Sequence, residues 1–257
     1  MVRALLERGL DVNARNSCCN LQHMDLQQIL KTSRIFYRDH NLRNWREPLP
    51  KTACLDQAEV VLEEAARSGF THGFAFPPFA VQMAGLDQLI EETVRKQAPG
   101  LIDTQQYASE LVLSDTWSKE PNGRILQRTD DLGARTQGPY YLLFSPKPVA
   151  NAWGRTGKQI GELFRAKDWQ GLTVPEYFVL QRYFCEKYGD HRFYEETPDS
   201  HPTHWLWLVD SMTETACTVV MGKARGLNLQ GCPLGNRDSR RAAIAGRVVA
   251  MENSPPA

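Results

Sequence analysis

The residues best suited to chemistry lie together in the last third of the chain. Asp190 and His191 are adjacent, His204 follows, and Cys217 comes shortly after. A carboxylate that orients a histidine, and a histidine that activates a thiol, form a common machinery for nucleophilic catalysis. The pattern therefore predicts a hydrolase or transferase that uses Asp190, His191, His204 and Cys217. The competing interpretation is that His191 caps the preceding helix at the negative end of its dipole.

The same segment contains side chains that could bind a metal. Cys185, His191, His201 and His204 are close in sequence. A structural zinc site needs four nitrogen or sulfur ligands, often in paired short spacings. His201 and His204 form one such pair, but no second short pair exists and Cys185 falls on a predicted helix. We therefore expect no metal, and no other motif implies a cofactor.

A basic segment follows, in which Arg237, Arg240 and Arg241 could bind phosphate or another anion. The alternative is that these arginines pair with acidic residues of the preceding hairpins. A separate stretch at 154–158, Gly-Arg-Thr-Gly-Lys, briefly suggests a phosphate-binding loop. That pattern requires a glycine at 152 and a serine or threonine at 159, where the chain has Ala152 and Gln159. A capped helix start is the better interpretation.

Residues 2–16, VRALLERGLDVNARN, carry a short family resemblance. The apolar Leu5 and Leu6, the turn at Gly9 and the following Asp-Val-Asn resemble the end of an ankyrin repeat. The resemblance implies a protein-binding role. A single repeat cannot bury its own apolar face, because repeats are stable only when they stack. The segment is therefore either the last fragment of an array or a chance match on an amphipathic helix.

Composition narrows the function classes. The 257 residues include 30 basic and 30 acidic side chains. This balance provides no overall field to attract nucleic acid or an anionic membrane surface. No apolar run approaches the ~18 residues of a membrane span, and the N-terminus does not have the pattern of a signal peptide. Six scattered cysteines indicate free thiols in a reducing compartment, which predicts a cytoplasmic protein.

The first half of the chain is predicted to be helical. Apolar spacing indicates a helix over 24–41, and a second helix begins at a cap on Asp56 and ends at Gly69. Residues 69–79 read as an aromatic loop that carries two prolines, and further helices follow up to residue 113. Polar residues 114–137 predict a linker or an exposed hairpin.

The stretch 172–222 is expected to organise the second half. Thr173 and Glu176 form a capping pair at the start of a helix, whose apolar stripe is Tyr177, Leu180, Phe184 and Tyr188. Strands are predicted at 140–144, 204–209, 215–221, 227–230 and 242–251. A second capping pair, at residues 156 and 159, starts another helix.

These elements predict an α+β fold, with a helical N-terminal part followed by a mostly antiparallel sheet with two inserted helices. The predicted divisions are an ankyrin-like extension at 1–23, a helical region at 24–113, the linker at 114–137, an α+β domain at 138–251 and a tail at 252–257. Our first functional hypothesis is an intracellular interaction or regulatory protein with a protein partner and without catalytic machinery. The alternative is the hydrolase or transferase described above.

Overall fold

The computed structural model describes residues 25–53, 58–86, 89, 132–188, 205–212, 215–222, 226–233, 235, 237 and 241–251. The helices are α1 (Leu26–Asp39), α2 (Arg43–Arg46), α3 (Ala58–Arg67), α4 (Phe79–Ala84), α5 (Gly157–Arg165) and α6 (Val174–Tyr188). Short 3-10 turns lie at Gly133–Thr136 and Ala150–Ala152. The strands are β1 (His72–Phe76), β2 (Tyr140–Phe144), β3 (Gln170–Gly171), β4 (Trp205–Met212), β5 (Thr215–Gly222), β6 (Gly226–Pro233), β7 (Arg241–Ala242) and β8 (Ala245–Ala250).

The described strands form two four-stranded sheets. The first has the order β1-β2-β8-β3, and every pairing in it is antiparallel. The second has the order β6-β5-β4-β7, in which β4, β5 and β6 are antiparallel while β7 runs parallel to β4. Helices together with open, mainly antiparallel sheets confirm the predicted α+β class.

Both predicted capping pairs are present. Thr156 accepts a hydrogen bond from the backbone of Gln159, and the Gln159 side chain accepts one from the backbone of Thr156. The backbone N–H of Thr173 donates to Oε2 of Glu176 at 2.8 Å. Gly69 has a φ of +84° directly after α3, the left-handed conformation that glycine adopts readily at helix ends. These features depend on neighbours in sequence, which is why the sequence predicts them.

The expectation of an aromatic loop at 69–79 is wrong, because residues 72–76 form the edge strand β1. Helix α1 covers the free edge of this strand. The backbone N–H of Ala75 donates to Oγ of Ser33, and the hydroxyl of Tyr37 donates to the Ala75 carbonyl. At Gly73 an added Cβ would lie 2.4 Å from the side chain of Ile29. The glycine that weakens the strand pattern is therefore what lets α1 approach.

Helix α6 lies in the core and is buried on every face from Val174 to Arg182, whereas Glu186 and Lys187 near its end are exposed. The predicted stripe is buried at Tyr177, Leu180 and Phe184, but Phe178 and Val179 on other faces are buried as well. A helix that buries every face belongs in the interior rather than on a surface. The consecutive burial of residues 206–208 in β4 likewise fits a strand covered on both faces.

The structure joins parts of the chain that the predicted divisions separate. Strand β1 lies within the range 24–113 and pairs with β2 in the range 138–251. The described end of the predicted linker contains Leu132 and Arg135, and both are buried. The predicted segments 1–23 and 252–257 lie outside the described residues, and the division into domains stays a prediction.

Candidate functional site

The predicted catalytic residues fall largely outside the part of the chain that the structure describes. Asp190, His191 and His204 are among the residues that are not described. Cys217 lies on β5 opposite Gly231 of β6, but its side chain is not described. The proposed catalytic group therefore stays a prediction.

Of the predicted anion-binding arginines, one has a described side chain. Arg237 is exposed, and its Nε donates to the carbonyl oxygen of Gly154 at 3.0 Å. This bond brings it to the turn before α5, the segment that superficially resembles a phosphate loop. Arg241 lies on β7 opposite Trp205, and Arg240 is outside the described residues. Anion binding by the three arginines stays a prediction.

The most elaborate polar arrangement in the described residues was not predicted. It is a buried ion pair between Arg135 and Glu176, whose side chains are both fully buried. Arg135 Nε donates to Oε1 at 2.7 Å, and Nη2 donates to Oε2 at 3.0 Å. The same guanidinium also donates to the side chain of Gln170 and to the carbonyl of Gly171. Arg135 thus ties α6 to β3.

Two further donors complete the environment of the Glu176 carboxylate. The hydroxyl of Tyr140 donates to Oε1 at 2.7 Å, and the backbone N–H of Thr173 donates to Oε2. Gln82 in turn donates to the Tyr140 hydroxyl at 2.8 Å. Burial and the nearby charge of Glu176 raise the pKa of Tyr140 well above its usual value, so this phenol remains a neutral donor. Each carboxylate oxygen accepts two hydrogen bonds.

This network positions secondary structure rather than exposing a reactive group. A buried carboxylate with four donors is well compensated for its lost hydration. The sequence identifies Glu176 only as a capping residue. Arg135 gives no local signal, because it lies 41 residues away in a stretch that reads as a polar linker.

A hydrogen bond between His40 and Glu186 joins the ends of α1 and α6. Nε2 of His40 lies 2.7 Å from Oε2 of Glu186, and Arg182 Nε lies 3.4 Å from the other carboxylate oxygen. His40 is nearly buried, whereas Glu186 is about half exposed. Since α1 covers β1, this contact links the edge of the first sheet to the central helix.

His72 on β1 is a partly buried histidine with a perturbed pKa. The centroid of its ring lies 5.9 Å from that of Phe144, in a stacked arrangement, and 5.3 Å from that of Phe184. Burial, assisted by the positive charge of Lys187, lowers the pKa of His72 to about 4. The imidazole is therefore neutral in the folded protein at neutral pH.

We expect His72 to weaken the folded state in acid. An unfolded histidine titrates near pH 6.5, so between about pH 6.5 and about pH 4 the unfolded chain binds a proton that the folded chain excludes. Stability is then lost as the pH falls, by up to roughly 3 kcal/mol for this group. Urea unfolding of wild type and His72→Phe across this range should show a smaller acid loss in the variant. Parallel curves would contradict the assignment.

An open cleft lies between α2 and α4. It has a volume of about 350 Å³ and is lined by residues 41–45, 80, 81, 84 and 85. Its wall combines apolar side chains such as Leu42 and Val81 with polar ones from the α1–α2 connection. Asn41 has a φ of 57°, a left-handed conformation that asparagine tolerates better than most residues and that turns the chain from α1 into α2.

Trp45 is one of the residues that line this cleft. Trp45 is only 1% exposed, and its Nε1 has no hydrogen-bond acceptor among the described residues. The nitrogen lies beside Gly85, where an added Cβ would come within 2.6 Å of it. An unsatisfied buried donor costs about 1–3 kcal/mol. The wall of the cleft therefore contains a donor that no described residue satisfies.

Within the described residues, no cluster of three or more histidine, cysteine, aspartate or glutamate side chains has an arrangement suited to a metal ion. None of the described helices has a stretch long and apolar enough to cross a membrane. No protein family, curated protein or solved structure matches the chain significantly.

Proposed function

We propose that this chain is a cytoplasmic interaction protein that binds a partner protein through the cleft between α2 and α4. The observation that carries the proposal is the buried N–H of Trp45 at the cleft wall, which has no acceptor among the described residues. A partner that places an acceptor beside Gly85 satisfies this donor and recovers the free energy that its isolation costs. The N–H is buried, and Trp45 and Gly85 both line the cleft, which is the route that we propose for the acceptor.

The surroundings of the cleft support recognition of a partner. Helix α1 is held to β1 through Ser33 and Tyr37, and α2 follows α1 after a short turn. Arg34 fixes the segment that follows α2, since its Nη1 donates to the carbonyls of Leu49 and Pro50. A wall held in this way is preorganised, which lowers the cost of ordering side chains on binding.

Filling the cleft should weaken partner binding. Ala80 is exposed and lines the cleft, so Ala80→Trp adds bulk there without entering the core. Val60 is exposed on α3, and Val60→Trp is the matched control. Wild type and Val60→Trp should recover the same partner proteins from a lysate of the source organism. We expect Ala80→Trp to recover about tenfold less of them, which corresponds to a loss of about 1.4 kcal/mol in binding free energy.

Equal thermal unfolding of the two variants shows that the comparison is not affected by misfolding. If every protein that wild type recovers is recovered equally by Ala80→Trp, the cleft is not the binding surface and the proposed function is wrong.

A further inference from the structure

We infer that the group which enters this cleft is the carboxylate of an aspartate or glutamate side chain in the partner. The inference rests on the proposed function and names the chemistry of its partner. A carboxylate is a strong acceptor that has no hydrogen to donate, so it suits a wall that presents donors. Hydrogen bonds to an ionised acceptor are about twice as strong as neutral ones.

The polar groups at the cleft are suited to an acceptor. Trp45 offers only a donor, Arg43 offers a guanidinium, and Asn41 and Asn44 offer amide N–H groups. Of the described residues that line the cleft, none is acidic. Arg43 is 80% exposed and donates to Glu47 at 2.6 Å, so it remains at the rim and retains further N–H groups for a ligand.

The net positive charge around the cleft also favours an acidic partner group. Residues 31–50 contain five basic side chains and two acidic ones, and they include all of α2. Arg34 and Arg46 lie close enough for the charge of Arg46 to help lower the pKa of Arg34. A surface with this excess attracts an acidic segment and repels a basic one.

The size of the cleft limits the occupant to something small. Its volume of about 350 Å³ lies at the low end for ligand sites, below what a large cofactor needs. The rim residues Asn41, Asn44, Ala80 and Ala84 are exposed. A partner chain can therefore lie across the opening and project one side chain towards Trp45.

The test uses the indole N–H resonance of Trp45 in the full ¹⁵N-labelled chain, assigned by its loss in Trp45→Phe. The probe is acetyl-Gly-Glu-Gly-amide, and the control is the same peptide with glutamine in place of glutamate. We expect the Trp45 resonance to shift downfield and saturate with the glutamate peptide, with roughly tenfold weaker binding of the glutamine peptide. Arg43→Gln should weaken binding of the glutamate peptide roughly two- to fivefold.

Three outcomes overturn the inference. The first is equal affinity for the glutamate and glutamine peptides. The second is that the Trp45 resonance does not respond up to the solubility limit of the glutamate peptide. The third is that acetyl-Gly-Gly, whose only carboxylate is its C terminus, binds more tightly than the glutamate peptide. The lysate comparison with Ala80→Trp separates the two proposals. If a partner depends on Ala80 but the peptides give any of these outcomes, the carboxylate inference fails while the proposed function stands.

Discussion

Replacing Arg135 with alanine should lower the free energy of unfolding by about 3–5 kcal/mol. The change leaves the Glu176 carboxylate buried with two of its four donors, and it also removes the bonds to Gln170 and Gly171. An uncompensated buried charge is the costly part of breaking such a pair. Urea denaturation of the full chain measures the loss.

Two variants serve as controls for this prediction. Arg237→Ala removes an exposed arginine and should change stability by less than about 0.5 kcal/mol. The double replacement Arg135→Met with Glu176→Leu should recover much of the loss, because it removes both charges together. A result for Arg135→Ala as mild as that for Arg237→Ala would mean that water reaches Glu176 and that the network is not closed.

Replacing Phe184 with alanine should cost about 3–5 kcal/mol through lost transfer free energy and the cavity that remains. The ring is almost fully buried and lies 5.3 Å from His72, 5.6 Å from Tyr183 and 6.3 Å from Phe144. These contacts join α6 to β1 and β2. Thermal or urea unfolding measures the effect.

The order of three variants makes the Phe184 prediction specific. Thr173→Ala removes a capping hydroxyl and should cost only about 1 kcal/mol, because the hydrogen bond that the backbone N–H of residue 173 donates to Glu176 is retained. Val60→Ala on the exposed face of α3 should cost less than about 0.5 kcal/mol. If Phe184→Ala proves no worse than Thr173→Ala, the core around α6 is loosely packed.

Sequence reasoning succeeded where the determining interactions are local. The capping pairs at 156 and 173 and the turn at Gly69 each depend on residues within a few positions, and the strand at 140–144 is visible as a short run of apolar and aromatic residues. Local chemistry of this kind is visible in a pattern of residue types. The α+β class was predicted from such helices together with the five predicted strands.

The parts that sequence reasoning missed depend on contacts between distant residues. Strand β1 is stabilised by side chains of α1 that lie about 40 residues earlier, and Gly73 obscures its strand pattern. The Arg135–Glu176 pair spans 41 residues and has no periodic signature. The cleft exists because α2 and α4 meet at Trp45, which neither helix alone would indicate.

The most direct test of the proposed function measures the NMR resonance and the solvent-exchange rate of the Trp45 indole N–H. The measurement is made with a purified partner that wild type recovers and Ala80→Trp does not. The account predicts that the indole N–H resonance shifts downfield on complex formation and that the proton exchanges more slowly with solvent, because it gains an acceptor. If the partner binds the chain and the Trp45 resonance and its exchange rate do not change, the cleft is not where the partner docks.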